Sequence, residues 1–266
     1  QPMPAPGKED PKFAKSVLKR YGLKAGAWIL GQREFRSRAV KKSSTYGARM
    51  LGSRVRSEMG TVEPVARFHA AKFPNGATVV DLTAGVGFDA LVIAERGPVT
   101  ALECHEETYG YLSANAALAR HPLTALQGDS LAFDANDVPF VYADPMRRGE
   151  GEWGGEVQTI RKANLDNYEP DPRLLVERFA GVELGLLKLS PLLFDAELDL
   201  LGPTRSFVSF GGECREVLVE WGRLAGRGVY AVHVESGEVA PSAEVTGSVT
   251  ECGEFLYDAD PALMRA

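Results

Sequence analysis

The sequence predicts an α/β protein built on a mostly parallel β-sheet. Three observations predict it. From Thr78 onward, short β-rich runs alternate with amphipathic helical runs, the pattern of βαβ units whose sheet is covered on both faces. One run, Val79-Val80-Asp81, passes through a glycine-containing turn directly into a helical stretch. The 266 residues, 44% hydrophobic and 25% charged, suffice for one large core and exclude collagen-like, low-complexity and wholly disordered chains.

The elements follow in order. Asp10-Pro11 supplies an N-cap and a proline at the first helical position. Phe13, Val17, Leu18 and Tyr21 recur at helical spacing, and Gly22 ends the run. A second helix is expected over 25–40, with Trp28, Gln32, Phe35 and Ala39 on one face. Residues 41–60, rich in Ser, Gly and Arg, read as a loop or poorly ordered connector. A third helix covers 62–72. Strands are then expected over 78–81, 99–103, 124–127, 140–143 and 184–189, with helices over 88–96, 108–120 and 172–179. Residues 206–210, 217–221 and 229–234 are strand-like, the last two forming an antiparallel hairpin at the sheet edge. Residues 236–266 are less regular, and no internal repeat is present.

Charge is distributed unevenly. Residues 1–56 hold fourteen Lys/Arg and three acids, a net +11 that leaves −17 on the remainder. Such a split suits a basic arm for a polyanion on an acidic body; the alternative is a solvated basic helix docked on that body. The longest apolar runs, 138–143 and 184–187, fall far short of the roughly 20 residues needed to cross a bilayer. The basic, interrupted stretch from Lys8 to Lys24 does not read as a signal peptide. Cys104, Cys214 and Cys252 are widely spaced without a CxxC or Cys/His cluster, so no disulfide framework, no metal and a reducing cytoplasm are expected.

The chemistry concentrates in Val79-Val80-Asp81-Leu82-Thr83-Ala84-Gly85-Val86-Gly87-Phe88-Asp89. Its glycines permit a turn against which a ligand can approach the main chain, and the following helix offers N–H groups and positive partial charge. Gly85-x-Gly87-x-x-Ala90, with Glu103 eighteen residues beyond Gly85, formally fits a relaxed dinucleotide fingerprint. Asp81 counts against that fit, because an acid pointing into the turn would repel a pyrophosphate. It suits the ammonium group of S-adenosylmethionine (AdoMet). Successive strand tips carry Asp81, Glu103, Asp129 and Asp144. All four are expected at the carboxyl edge of one parallel sheet, where such folds bind ligands. Glu103 can accept both ribose hydroxyls, and Asp129 an adenine amino group.

These stretches resemble the class I AdoMet-dependent methyltransferases over about 61–234. Within that superfamily the chain is similar to bacterial methyltransferases carrying a C-terminal THUMP-like domain. The similarity rests on Glu63-Pro64-Val65-Ala66-Arg67-Phe68-His69-Ala70, the Asp81–Asp89 motif and Asp144-Pro145-Met146-Arg147-Arg148. It continues in Lys188-Leu189-Ser190-Pro191, Glu213-Cys214-Arg215-Glu216 and Tyr257-Asp258-Ala259-Asp260-Pro261-Ala262. A more distant resemblance is to cap trimethylguanosine synthases. The resemblance implies a Rossmann-like, seven-stranded sheet with an antiparallel edge hairpin behind a helical extension. It implies that Asp81, Thr83, Ala84, Gly85 and Gly87 hold the methionine part of AdoMet, with Phe88 and Asp89 lining the same pocket. Glu103 takes the ribose, Asp129 the adenine amino group, and Cys104 and Ser130 flank the ring. Thr61 and Glu63 close the pocket from upstream.

Asp144, Pro145, Arg147 and Arg148 occupy the superfamily's catalytic loop. Amino-group methyltransferases often have Asp/Asn-Pro-Pro-aromatic there; this chain keeps the acid and first proline but has Met146 and Arg147 next. The arginines can grip phosphate or stack on a base, or pair with Glu150, Glu152 or Asp166. Arg33, Arg36 and Lys41 of the basic segment and Lys188 at a strand tip are the substrate-contacting candidates. Trp153 among Gly149, Gly151, Gly154 and Gly155 marks a glycine-rich loop that could fold over substrate.

The function so read is methylation of RNA, tRNA or rRNA, at a base nitrogen. The expected organisation is a basic extension (1–56), a methyltransferase domain (57–235) and the beginning of a THUMP-like module (236–266), largely missing from a chain that also opens without Met. The rival readings are an NAD-dependent oxidoreductase using the same glycine turn and a catalytically decayed RNA-binding protein.

Overall fold

The computed structural model describes residues 11–134, 136–147, 164–242 and 260–266. They fall into two compact units, one running to Ser130 and one from Leu131 onward.

The first unit opens with α1 (Pro11–Lys42), which is two helical segments meeting at Gly22, whose φ of 76° and ψ of 169° are not helical. The helix stop expected at that glycine is therefore present. Gln32, Phe35 and Ala39 are buried as expected, but Trp28 is 51% exposed. The reason lies in the chain that α1 packs against. Gln32 exchanges hydrogen bonds with the backbone N and O of Gly52, at 3.1 and 3.0 Å. Arg36 donates to Met50 O at 3.0 Å. Gly47 backs onto Ala39, so this strap runs antiparallel to the helix and ends before Trp28.

Residues 41–60 correct the expected poorly ordered connector. Ser43, Tyr46 and Met50 are buried, and Ser53 caps α2 (Arg54–Met59) by accepting from Arg56 N. The glycines mark close approach rather than looseness. A Cβ at Gly47 would lie 2.3 Å from Ala39 O, and one at Gly52 2.4 Å from the Phe35 ring.

Next come α3 (Glu63–Lys72), β1 (Val79–Asp81), α4 (Phe88–Ile93), β2 (Val99–Glu103), α5 (Glu106–Asn115) and β3 (Leu123–Gln127). Strands β1, β2 and β3 are neighbours in that order and parallel, Val79 opposite Val99 and Val99 opposite Leu123. The helix expected over 108–120 stops at Asn115, where a short 3₁₀ turn (Ala116–Leu118) takes over.

The second unit holds β4 (Phe140–Ala143), β5 (Met146–Arg147), β6 (Tyr168–Glu169), α6 (Pro172–Arg178), β7 (Leu184–Leu189) and α7 (Asp195–Leu198). It continues with β8 (Thr204–Phe210), β9 (Glu213–Trp221), β10 (Gly228–His233), β11 (Glu238–Pro241) and α8 (Pro261–Arg265). Its strand order is β11-β10-β8-β9-β7-β4, while β5 and β6 pair separately. The β4–β7 and β8–β10 pairs are parallel. Strand β9 runs antiparallel to both β7 and β8. Gly185 lets β7 pass under the Trp221 ring, which a Cβ there would approach to 2.2 Å. Trp221 Nε1 donates to Phe179 O at 3.1 Å.

Among the described residues, leaving the β5–β6 pair aside, the two units hold three and six strands where seven in all were expected. The surplus includes β11, four residues in a stretch that reads as irregular. An antiparallel edge hairpin exists, but it is formed by β10 and β11, with Ala231 opposite Ala240. The strand at 217–221 does not pair with that at 229–234. It belongs to β9, which forms a hairpin with β8 through Gly211 and Gly212. Both glycines have positive φ, 64° and 74°, as a two-residue primed hairpin turn demands. No helix among the described residues is long and apolar enough to cross a membrane.

Candidate functional site

The first unit gathers most of the sequence-predicted cofactor residues. Asp81 ends β1 and is buried; its Oδ1 accepts from Thr83 N at 3.2 Å, which folds the chain into the glycine turn. Ala84 N donates to Leu102 O at 2.8 Å, tying the turn to the end of β2. Gly85 and Gly87 carry φ of 56° and 97°. A Cβ at Gly85 would meet no described residue within 4 Å, so among the described residues the space in front of the turn is open. Glu103 ends β2, buried, with Oε1 accepting from His105 N at 2.8 Å. Gly128 N donates to Glu103 O at 3.1 Å, which brings the exposed Asp129 and buried Ser130 to the end of the same strand pair. Three acids thus stand at the carboxyl ends of three adjacent parallel strands.

Phe88 and Asp89 turn to protein partners. The Phe88 ring sits 6.3 Å from that of Phe35 and against Gly60. Asp89 Oδ1 lies 3.1 Å from Nδ1 of the fully buried His69, a pairing that sequence spacing alone does not reveal. Cys104 is an exposed residue at the end of β2, but its thiol is partly shielded from water, and that desolvation, then the Glu103 charge, push its pKa up. The ligand-type atoms of Glu103, Cys104 and His105 lie within 4.8 Å of one another.

Thr61 and Glu63, the upstream candidates, are buried. Glu63 is committed to protein donors. Oε1 accepts from Thr45 Oγ1 at 2.6 Å and Arg67 Nη2 at 2.7 Å, and Oε2 from Ser43 Oγ at 2.9 Å and Thr45 N at 3.0 Å. Burial alone would raise its pKa, but the hydrogen bonds from Thr45, Arg67 and Ser43 outweigh it and lower the carboxyl to about 2. Arg67 also bridges to Glu95, which accepts from Tyr46 Oη at 3.0 Å. Burial, and then this bond to Glu95, push Tyr46 up to about 12. The strap is thereby clamped to α3 and to the end of α4.

Asn115 is the residue that sequence reasoning missed here. It is buried on α5, accepts from Leu51 N and donates to Leu51 O and to Val86 O, each at 2.8 Å. It joins the strap to the middle of the glycine turn. A lone helical Asn gives no periodic or motif signal, so nothing in the sequence points to it.

In the second unit Asp144 follows β4, half-buried, with Lys188 Nζ at 2.6 Å from Oδ2. Lys188, a substrate candidate, thus pairs with the catalytic candidate. Pro145 is buried, and Arg147 lies in β5 opposite Tyr168 of β6. The Tyr168 hydroxyl accepts from Ser190 N at 2.9 Å, linking β6 to the end of β7. Pairings of two residues are below what a sequence pattern can signal. Asp166, a possible partner for the loop arginines, instead pairs with Arg173 at 2.6 Å. Arg148, Glu150, Glu152, Trp153 and its glycines, Cys252 and Tyr257-Asp258-Ala259 lie outside the described residues. Of the basic-segment candidates, Arg33 stacks over the Phe13 ring at 4.5 Å, Arg36 holds Met50 O, and Lys41 is exposed.

No protein-family model matches the chain, and no curated protein matches it. Among solved structures it is similar to a protein of Porphyromonas gingivalis W83 described as a methyltransferase, at a TM-score of 0.69 and 20% identity. The match covers 88% of this chain and 65% of that one, so this chain spans just under two thirds of its length. A second similar structure, from Listeria monocytogenes, is described as a class I S-adenosylmethionine-dependent methyltransferase. It is 11% identical, with 83% of each chain covered and a TM-score of 0.48. At 20% identity the first likeness establishes the Rossmann-like fold.

Proposed function

We propose that the chain is an AdoMet-dependent methyltransferase acting on RNA. The observation that carries this reading is the row of Asp81, Glu103 and Asp129 at the ends of adjacent parallel strands, beside a glycine turn with open space before Gly85. The donor set fits the molecule: Asp81 for the ammonium, turn backbone for the carboxylate, Glu103 for the ribose and Asp129 for the adenine amino group. When bound, AdoMet supplies a methyl group on a sulfonium, ready for in-line displacement. The finer assignment to the methyltransferases with a THUMP-like domain rests on the motifs quoted above. So does the division into a basic extension over 1–56, a catalytic domain over 57–235 and a further module from 236. RNA is favoured by the +11 of residues 1–56, and cytoplasmic residence by the cysteine pattern.

Alignment supplies much of the rate of a displacement that needs no covalent enzyme intermediate. Asp144, with Lys188 Nζ at 2.6 Å from its Oδ2, accepts an N–H from the base nitrogen. That hydrogen bond orients the nitrogen lone pair. Asp144 or water would take the proton that the nitrogen gives up on methylation. Pro145 stiffens the loop, and Arg147 and Arg148 hold phosphate or stack on the base. An NAD-dependent oxidoreductase would place a pyrophosphate beside buried Asp81, and nothing in the site favours it.

Thermal unfolding with AdoMet, S-adenosylhomocysteine and NAD tests the reading, since a ligand of the folded state raises the melting temperature. The first two are expected to stabilise and NAD is not; stabilisation by NAD alone overturns the reading. Asp81→Ala is expected to abolish the AdoMet shift. Asp144→Ala is expected to keep the shift but lose tritium transfer from labelled AdoMet to RNA of a strain lacking the enzyme. Tight RNA binding without any AdoMet shift would favour the decayed RNA-binding protein instead.

A further inference from the structure

The outer surface of α1 interleaves cations with aromatic rings. Lys12, Lys15, Lys19, Arg20 and Lys24 are exposed, and Tyr21 and Trp28 are about half exposed. The helix carries ten Lys/Arg against one acid, Glu34. Beside Trp28 lies a cavity of about 170 Å³ lined by Phe13, Trp28, Ile29, Gln32, Arg33 and Arg36. Sites for whole small molecules run from roughly 300 to 1,000 Å³, so this one has room for a single ring system. One wall is the Arg33 guanidinium stacked on Phe13. Its Nη1 is buried with no hydrogen-bond partner among the described residues. A buried charged donor left without an acceptor is costly, and an incoming carbonyl or ring nitrogen would relieve that cost.

We propose that this cavity is a stacking site for one unpaired nucleotide of RNA. The base lies against Trp28, its acceptor atoms meet Arg33 and Arg36, and the Lys12–Lys24 row takes the flanking phosphates. The proposal rests on the RNA reading above and narrows it to single-stranded RNA. A base inside a duplex is already stacked and cannot enter. An acidic peptide would use the lysines but leave the indole face and the buried donor unexplained. Aromatic rings set in a cationic track are what single strands bind.

The test is fluorescence anisotropy of the full chain with a labelled, unstructured oligoribonucleotide and with a duplex of equal length, over a series of salt concentrations. Wild type is expected to prefer the single strand. Trp28→Ala is expected to weaken that binding by about five- to a hundredfold, the worth of one stacked base. The slope against salt stays unchanged, because it counts phosphates. Trp28→Phe, which keeps a ring at a half-exposed position, retains most of the affinity and guards against a folding defect. Equal single-strand binding by wild type and Trp28→Ala, or equal affinity for duplex, overturns the stacking site while leaving the RNA reading intact. Absence of salt-dependent RNA binding in all three proteins overturns both.

Discussion

Glu63 shows how one buried carboxylate can hold a segment. Its folded pKa of about 2 lies below the ordinary 4.5, so it stabilises the fold fully above the ordinary value and the contribution fades as pH falls through about 2. Glu63→Gln is expected to lower the unfolding free energy at neutral pH by on the order of 2 kcal/mol. Denaturant titrations at stepped pH should show the gap between variant and wild type closing in acid; a gap constant down to that range would mean that the hydrogen bonds do not act through charge. At this scale the sequence was legible where chemistry has a spacing. The acids at the ends of β1 and β2 and beyond β3 could be read because strands alternate with helices at regular intervals. The structural part of Glu63 has no such spacing, since Thr45 and Arg67 reach it from eighteen residues upstream and four downstream. Asn115 could not be read at all, because its partners are main-chain atoms of segments 64 and 29 residues away.

Elements were legible in proportion to their length and their punctuation. The break at Gly22, and strands β2, β4 and β7, follow from local pattern. The errors came from glycines with more than one use. In the strap, Gly47 and Gly52 permit contact with α1, where composition alone reads as looseness. At Gly211-Gly212 two adjacent glycines close the β8–β9 hairpin, whereas sequence order favoured pairing the next two runs. Replacing both with Ala should cost about 2–4 kcal/mol, at roughly 1–2 kcal/mol per left-handed residue. Gly211→Asn, compatible with such a turn, should be nearly neutral. Thermal melting of the two variants separates the cases, and equal loss in both would point to sterics rather than backbone conformation.

For the whole molecule, the opposition of a basic arm and an acidic remainder was visible in the charge count, but the arm's attachment was not. The part of α1 after Trp28 is packed into the first unit through Gln32, Phe35 and Ala39, while the part before Gly22 buries only Val17. Removing residues up to Gly22 should therefore leave the melting temperature of the chain nearly unchanged. Removing residues up to Lys42 deletes a fully buried phenylalanine and should destabilise by at least the roughly 3–5 kcal/mol of such a loss. Similar melting temperatures for the two truncations would show the arm to be a separate appendage.

The strap beside α1 has one more consequence. Leu51 and Gly52 belong to neither helix nor strand, yet side-chain amides of Asn115 and Gln32 take the place of a neighbouring strand for them, receiving each N–H and capping each carbonyl. Their amide protons would thus exchange with deuterium as slowly as those of a central strand, making this loop part of the slowest-opening kernel of the unit.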